Sequence, residues 1–276
     1  MLEAKLSEAA ILKRLMDAVK ELVSDANFNC NEEGITLQAM DNSHVALVAV
    51  KLDAQGFKRY RCDRTIPLGV NVGSLTKVLK CAKDDDICIL KAGDDADILT
   101  LTYESKNTDR IAEYEMKLME IDADTLGIPD TDYDASVTMP SSEFARIVRD
   151  LSVLGESVRL EVSKEGVRFV SDGETANGNI LLKQTAEAGK KKGSKPAKKV
   201  KKDAEDDDDD FEGVRIEMNQ AVTLTFSLKY LVNFSKSSSL AKKVQLMMSN
   251  DVPLLVSYEF NQGYIRYYLA PKIGDD

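Results

Sequence analysis

Residues 11–20 read ILKRLMDAVK, and residues 143–152 read EFARIVRDLS. In the first stretch, Ile11, Leu12, Leu15, Met16 and Val19 recur at helical spacing, with Lys13, Arg14 and Lys20 off the apolar stripe. Shifting by 132 residues carries Leu12 to Phe144, Arg14 to Arg146, Leu15 to Ile147, Met16 to Val148 and Val19 to Leu151. The apolar face and one cation survive the shift. The same offset carries the Glu-Gly turn of EEGITL (32–37) onto that of KEGVRF (164–169), Gly34 onto Gly166. A turn and a helix face sharing one offset mark a duplicated unit.

The second half of each unit also repeats. GSLTKVLKCA (73–82) matches FSLKYLVNFS (226–235) at an offset of 153, so 21 extra residues separate the two halves in the second copy. Their source is residues 187–212, EAGKKKGSKPAKKVKKDAEDDDDDFE, where lysines cluster first and aspartates second. This low-complexity tract lacks the periodicity of a core segment and reads as a surface insertion. Its KKKGSKPAKKVKK run reads equally as a nuclear-import signal or a solvated linker.

Between the predicted helices lie alternating or β-branched runs: VALVAVKL (45–52), DICILKA (86–92), DILTLTYE (97–104), NILLKQT (179–185), VTLTFSL (222–228), PLLVSYEF (253–260) and GYIRYYLA (263–270). Frequent turn signals between them predict antiparallel strands. The expected fold class is α+β, with two similar domains, each of two helices on an antiparallel sheet. The N-terminal domain is assigned to 1–117, an acidic connecting loop to 118–135, and the C-terminal domain to 136–276, carrying the insertion.

The chain has 276 residues and a formal net charge of −10. No apolar run approaches the length of a membrane span. Four cysteines without a C-x-x-C pair, and one histidine, give no zinc pattern and suggest reduced thiols in a cytosolic or nuclear setting. Against this acidic background, all four predicted helices carry cations beside their apolar stripes. To the three on the first are added Lys77 and Lys80 on the second, Arg146 and Arg149 on the third, and Lys229 and Lys236 on the fourth. A charged polar face is ordinary on one helix. Four such faces at duplicated positions form an electrostatic footprint for a phosphate backbone, bound without sequence preference and weakened by salt.

MDNSHV (40–45), YRCDR (60–64), YEMKLMEID (114–122), LGIP (126–129), MPSSEFARIVRDLS (139–152), NGNI (177–180) and YYLAPKI (267–273) resemble the proliferating cell nuclear antigen family of eukaryotic sliding clamps. The resemblance spans the chain outside 187–212. It implies a DNA-clamp fold closing as a head-to-tail homotrimeric ring around duplex DNA, in the nucleus. The ring would act as a polymerase processivity factor and a docking platform, with no cofactor, no metal and no catalytic residue.

Matching motifs implies DNA-facing Lys13, Arg14, Lys20, Lys77, Lys80, Arg110, Arg146, Arg149, Lys229 and Lys236. They imply a pocket for Q-x-x-apolar-x-x-aromatic-aromatic peptides built from Met40, His44, Val45, Leu126, Ile128, Pro253, Tyr268, Ala270 and Pro271. Expected users of that pocket are replicative DNA polymerase, clamp loader, flap endonuclease and DNA ligase. The implied subunit contact uses Ile111 and Tyr114 on one edge, and Asn177, Gly178 and Ile180 on the other. Lys164 matches the family's ubiquitin-acceptor lysine.

Three other readings have some footing. A subunit of a heterotrimeric clamp would share these motifs. An acidic protein-interaction module would explain the net charge but not the four basic faces. A metal-dependent nuclease would need clustered carboxylates. Asp84-Asp85-Asp86 and Asp130, Asp132 and Asp134 are available, but their placement in loops predicts solvated side chains.

Overall fold

The two Glu-Gly turns adopt the backbone that only glycine tolerates well. Gly34 has φ +144° and Gly166 φ +151°. A Cβ would meet the Leu52 carbonyl oxygen at 2.0 Å in one turn and the Leu182 carbonyl oxygen at 2.2 Å in the other. The repeat inferred from sequence is therefore a repeat of local geometry. The computed structural model describes residues 1–93, 97–122, 127–128, 131–185 and 213–273. Leu126 and the tract 187–212 lie outside them.

Element order repeats in full. The first unit runs β1 (Leu2–Leu6), α1 (Ala10–Val19), β2 (Asp25–Asn31), β3 (Gly34–Met40), β4 (Ala46–Asp53), β5 (Arg59–Cys62), β6 (Ile66–Asn71), α2 (Val72–Leu79), β7 (Ile87–Ala92), β8 (Ile98–Glu104) and β9 (Ile111–Lys117). The second unit follows the same sequence of elements. It runs β10 (Ala135–Pro140), α3 (Ser141–Ser152), β11 (Ser157–Ser163), β12 (Gly166–Asp172), β13 (Asn177–Leu182), β14 (Arg215–Met218), β15 (Val222–Ser227), α4 (Leu228–Ser235), β16 (Lys243–Met248), β17 (Leu254–Phe260) and β18 (Gly263–Leu269).

Each unit's strands split into two groups rather than one sheet. In the first unit these are β5-β1-β7-β8-β9 and β4-β3-β2-β6; in the second they are β14-β10-β16-β17-β18 and β13-β12-β11-β15. The units are joined where β18 pairs with β4, antiparallel, from Gly263↔Leu52 to Leu269↔Ala46. That seam fuses two groups into a nine-stranded sheet. It leaves β9 and β13 as sheet edges.

The helix stripes bury as their spacing requires. α3 buries Phe144, Ile147, Val148 and Leu151. α1 buries Leu12, Leu15, Met16 and Val19, while Ile11 is half-buried. α4 buries Leu228, Leu231 and Phe234, and the Phe234 ring stacks on Tyr267 with centroids 4.3 Å apart. Val232 is half-buried.

In each unit the loop after the second helix supplies carbonyls to the start of the first. Ala9 N donates to Asp86 O (2.8 Å) and Ala10 N to Asp84 O (3.1 Å); Ser141 N donates to Lys242 O (2.8 Å). The expectation of solvated acids at 84–86 holds for the exposed Asp84 and Asp85 and is corrected at Asp86. Asp86 is 1% exposed, and its Oδ2 accepts from Lys83 N at 2.9 Å. Asp84 pairs with Lys13. These acids shape a capping loop.

Candidate functional site

The four helices stand side by side. α1 packs on α2, α3 packs on α4, and the 3-10 turn Lys236–Ser239 after α4 touches both α1 and α3. Arg14 Nη1 donates to Ser239 O at 3.1 Å across that junction. The amphipathic pattern thus turns every apolar stripe to the sheets and leaves the polar faces in one row.

On that row Lys77, Lys80, Arg146, Arg149, Lys229 and Lys236 are exposed, as is Arg14. Lys13 and Lys20 are half-buried. Local acids engage several of these cations. Lys13 Nζ reaches Asp84 at 2.5 Å and the Ala82 carbonyl at 2.9 Å. Lys20 pairs with Asp17 at 2.6 Å, Lys236 with Glu21 at 3.3 Å and Arg146 with Asp150 at 3.7 Å. Such surface pairs are weak and readily exchanged for a phosphate. Arg110 is exposed in the loop before β9, away from the helices in sequence.

A second cluster forms where the seam ends. Ala270 N donates to Val45 O at 3.1 Å, and Tyr268 lies opposite Leu47 in the β18–β4 register. Met40, Val45, Tyr268 and Pro271 are half-buried there, and His44, Pro253 and Ala270 exposed. His44 holds φ +56°, and its Nδ1 lies 2.9 Å from Met40 Sδ. Ile128, 37% exposed, is the described part of the acidic connection that was assigned to this pocket.

Sequence reading missed the group that organises this loop. Asp41 is 7% exposed, and its carboxylate accepts from the amides of Ser43 (3.1 Å), Val45 (2.8 Å) and Ala46 (2.7 Å) and from Tyr230 Oη (2.7 Å). Burial alone would raise the Asp41 carboxyl. The bonds from Ala46, Tyr230, Val45 and Ser43 more than offset it and hold the group below the usual aspartate value. MDNSHV offers the acid, but its hydroxyl partner is 189 residues away.

β9 and β13 each lie at the edge of a sheet. On β9, Ile111 is 70% exposed while Tyr114 lies half-buried against Tyr103, centroids 5.5 Å apart. On β13, Asn177 is exposed, and Gly178 and Ile180 are half-buried. Lys164 is exposed in the turn between β11 and β12. Among the described residues no group of three His, Cys, Asp or Glu is arranged to hold a metal ion.

Comparison with known families decides the identity of this architecture. The N-terminal-domain model of proliferating cell nuclear antigen matches residues 1–126, and the C-terminal-domain model matches residues 127–197 and 193–273. The chain belongs to the proliferating cell nuclear antigen family. It is 53% identical, over the full length of both chains, to the proliferating cell nuclear antigen of Chaetomium thermophilum. As a member of that family it is a DNA sliding clamp and polymerase processivity factor of replication and repair. The duplicated α+β units are the clamp fold.

Proposed function

We propose that three copies of this chain close head-to-tail, by pairing β9 of one subunit with β13 of the next, into a ring that threads duplex DNA. The observation carrying this reading is the internal seam. Tyr103 faces Ala112 and Leu101 faces Tyr114 in the β8–β9 register, just as Tyr258 faces Ile265 and Val256 faces Tyr267 in β17–β18, so β18 corresponds to β9. The glycine turns make β4 correspond to β13. The molecule thus contains one completed copy of the junction, β18–β4, and both halves of another.

Transposing the register sets specific neighbours. Tyr267↔Val48 becomes Tyr114 opposite Gly178 of the next subunit, and Ile265↔Val50 becomes Ala112 opposite Ile180. The exposed Ile111 and the unpaired backbone of both edges are then covered. A heterologous contact that closes gives a ring. Identical subunits suffice, since both edges lie on one chain; this favours the homotrimer over a heterotrimeric assembly.

In that ring the helix row, with Arg110 and the nine helix cations assigned above, faces the DNA. Phosphate contacts of this kind hold without fixing register, so the ring slides. Binding persists because the ring encircles its substrate, and the chain acts as a scaffold with no chemistry of its own. The cluster of Met40, His44, Val45, Leu126, Ile128, Pro253, Tyr268, Ala270 and Pro271 takes an aromatic-anchored helical turn. Through it dock replicative polymerase, clamp loader, flap endonuclease and DNA ligase. The setting is the nucleus, and exposed Lys164 is available for ubiquitin transfer.

The test is topological. The protein is loaded by a family clamp loader with ATP onto nicked circular DNA, which is then linearised. Retention on circles with loss from linear DNA supports the ring. Equal retention on both would refute it.

A further inference from the structure

The rim of the docking pocket is held by a side chain from the other unit. His44 and Val45 follow Asp41 in a tight loop whose amides converge on that one carboxylate. His44 sits there at φ +56°, in the left-handed region that residues with a Cβ occupy uncommonly. Asp41 Oδ2, which accepts only the longer amide bond from Ser43 (3.1 Å), receives Tyr230 Oη at 2.7 Å. Tyr230 lies on α4, directly after the exposed Lys229. Its ring is 6.4 Å from Phe234, which stacks on Tyr267, the seam residue opposite Val48. The hydroxyl is therefore fixed from the core of the C-terminal unit.

We infer that Tyr230 is a positioning residue for partner docking: through Asp41 it sets the backbone of His44 and Val45 that an incoming peptide meets. The inference rests on residues 40–45 and 268–271 forming the docking pocket. A hydroxyl donating to a carboxylate makes a strong, directional bond. Without it, a largely buried carboxylate loses one donor and gains by turning toward water. Turning releases the Val45 and Ala46 amides, and the αL conformation of His44 loses its support. Val45 O, which accepts from Ala270 N, moves with them. One oxygen on a DNA-side helix thus governs the shape of the pocket rim.

The variant to make is Tyr230→Phe, which keeps the ring against Phe234. Binding of a fluorescent synthetic peptide with the Q-x-x-apolar-x-x-aromatic-aromatic pattern is read by anisotropy on the intact protein. About tenfold weaker binding is expected, in line with loss of a hydrogen bond to a charged group. His44 is the chain's one histidine, so its imidazole gives a single reporter set by NMR. Those resonances should shift in Tyr230→Phe and in Asp41→Asn, but not in Lys229→Ala, with the oligomer mass unchanged in all three. Wild-type peptide affinity in Tyr230→Phe overturns the inference. Ile128→Asp separates the two readings. If Ile128→Asp abolishes binding while Tyr230→Phe does not alter it, only the positioning role fails. If neither variant alters it, the docking pocket itself is misassigned and the inference falls with it.

Discussion

At the scale of single residues, backbone geometry makes the sharpest demands. Gly166 combines φ +151° with a carbonyl 2.2 Å from where a Cβ would stand. Gly166→Ala should cost at least about 1–3 kcal/mol in strain and lower the urea midpoint. Gly73 is the contrast: its nearest neighbour would be Asn71 Oδ1 at 3.5 Å, within the first turn of α2. Gly73→Ala should be neutral or stabilising by up to about 1 kcal/mol. Equal losses in both would show that the positive φ is not the cause. Asp41 makes a pH-dependent claim. Its folded pKa is depressed, so its contribution is complete above the unfolded value and lost as pH falls through the folded one. The melting-temperature gap between the wild type and Asp41→Asn should therefore be widest near neutral pH and close in acid. A gap indifferent to pH would detach the carboxylate charge from the loop's stability.

At the scale of elements, the edges and the helix row each predict a response. Tyr114 is anchored on Tyr103 at an otherwise open edge. Tyr114→Ala should cost about 2 kcal/mol or more per junction, moving the dissociation midpoint upward by about thirtyfold or more in concentration. Sedimentation of the variant at low concentration, unchanged from the wild type, would count against the β9–β13 junction. For the helix row, Lys77→Ala, Lys80→Ala, Arg149→Ala and Lys229→Ala remove exposed cations from three different helices. Each should flatten the dependence of log affinity for duplex DNA on log salt by up to about 0.9. The loss should be equal for unrelated DNA sequences, since phosphates carry no sequence information.

At the scale of the whole molecule, duplication is the organising fact. One chain holds a finished seam and the two edges that the proposed assembly would join, so closing the ring would repeat a contact that folding has already made once. Sedimentation equilibrium should therefore find a species near three times the 30.5 kDa chain mass. A persistent monomer would leave the helix row without a hole to line.

The sequence by itself determined the repeat, the helix stripes and the basic faces, because each rests on local periodicity or on a glycine whose backbone no other residue adopts easily. The family motifs were legible for the same reason: they are contiguous runs. Of the acids at 84–86 it misjudged Asp86 as solvated, since that burial depends on the loop folding over the start of α1. Tertiary structure alone decided the β18–β4 seam, the row in which four helices stand, and the bond from Tyr230 to Asp41. Those contacts join residues far apart in the chain. Their pairing is set by which sheet edges and side chains meet after the units pack, and no local pattern encodes that.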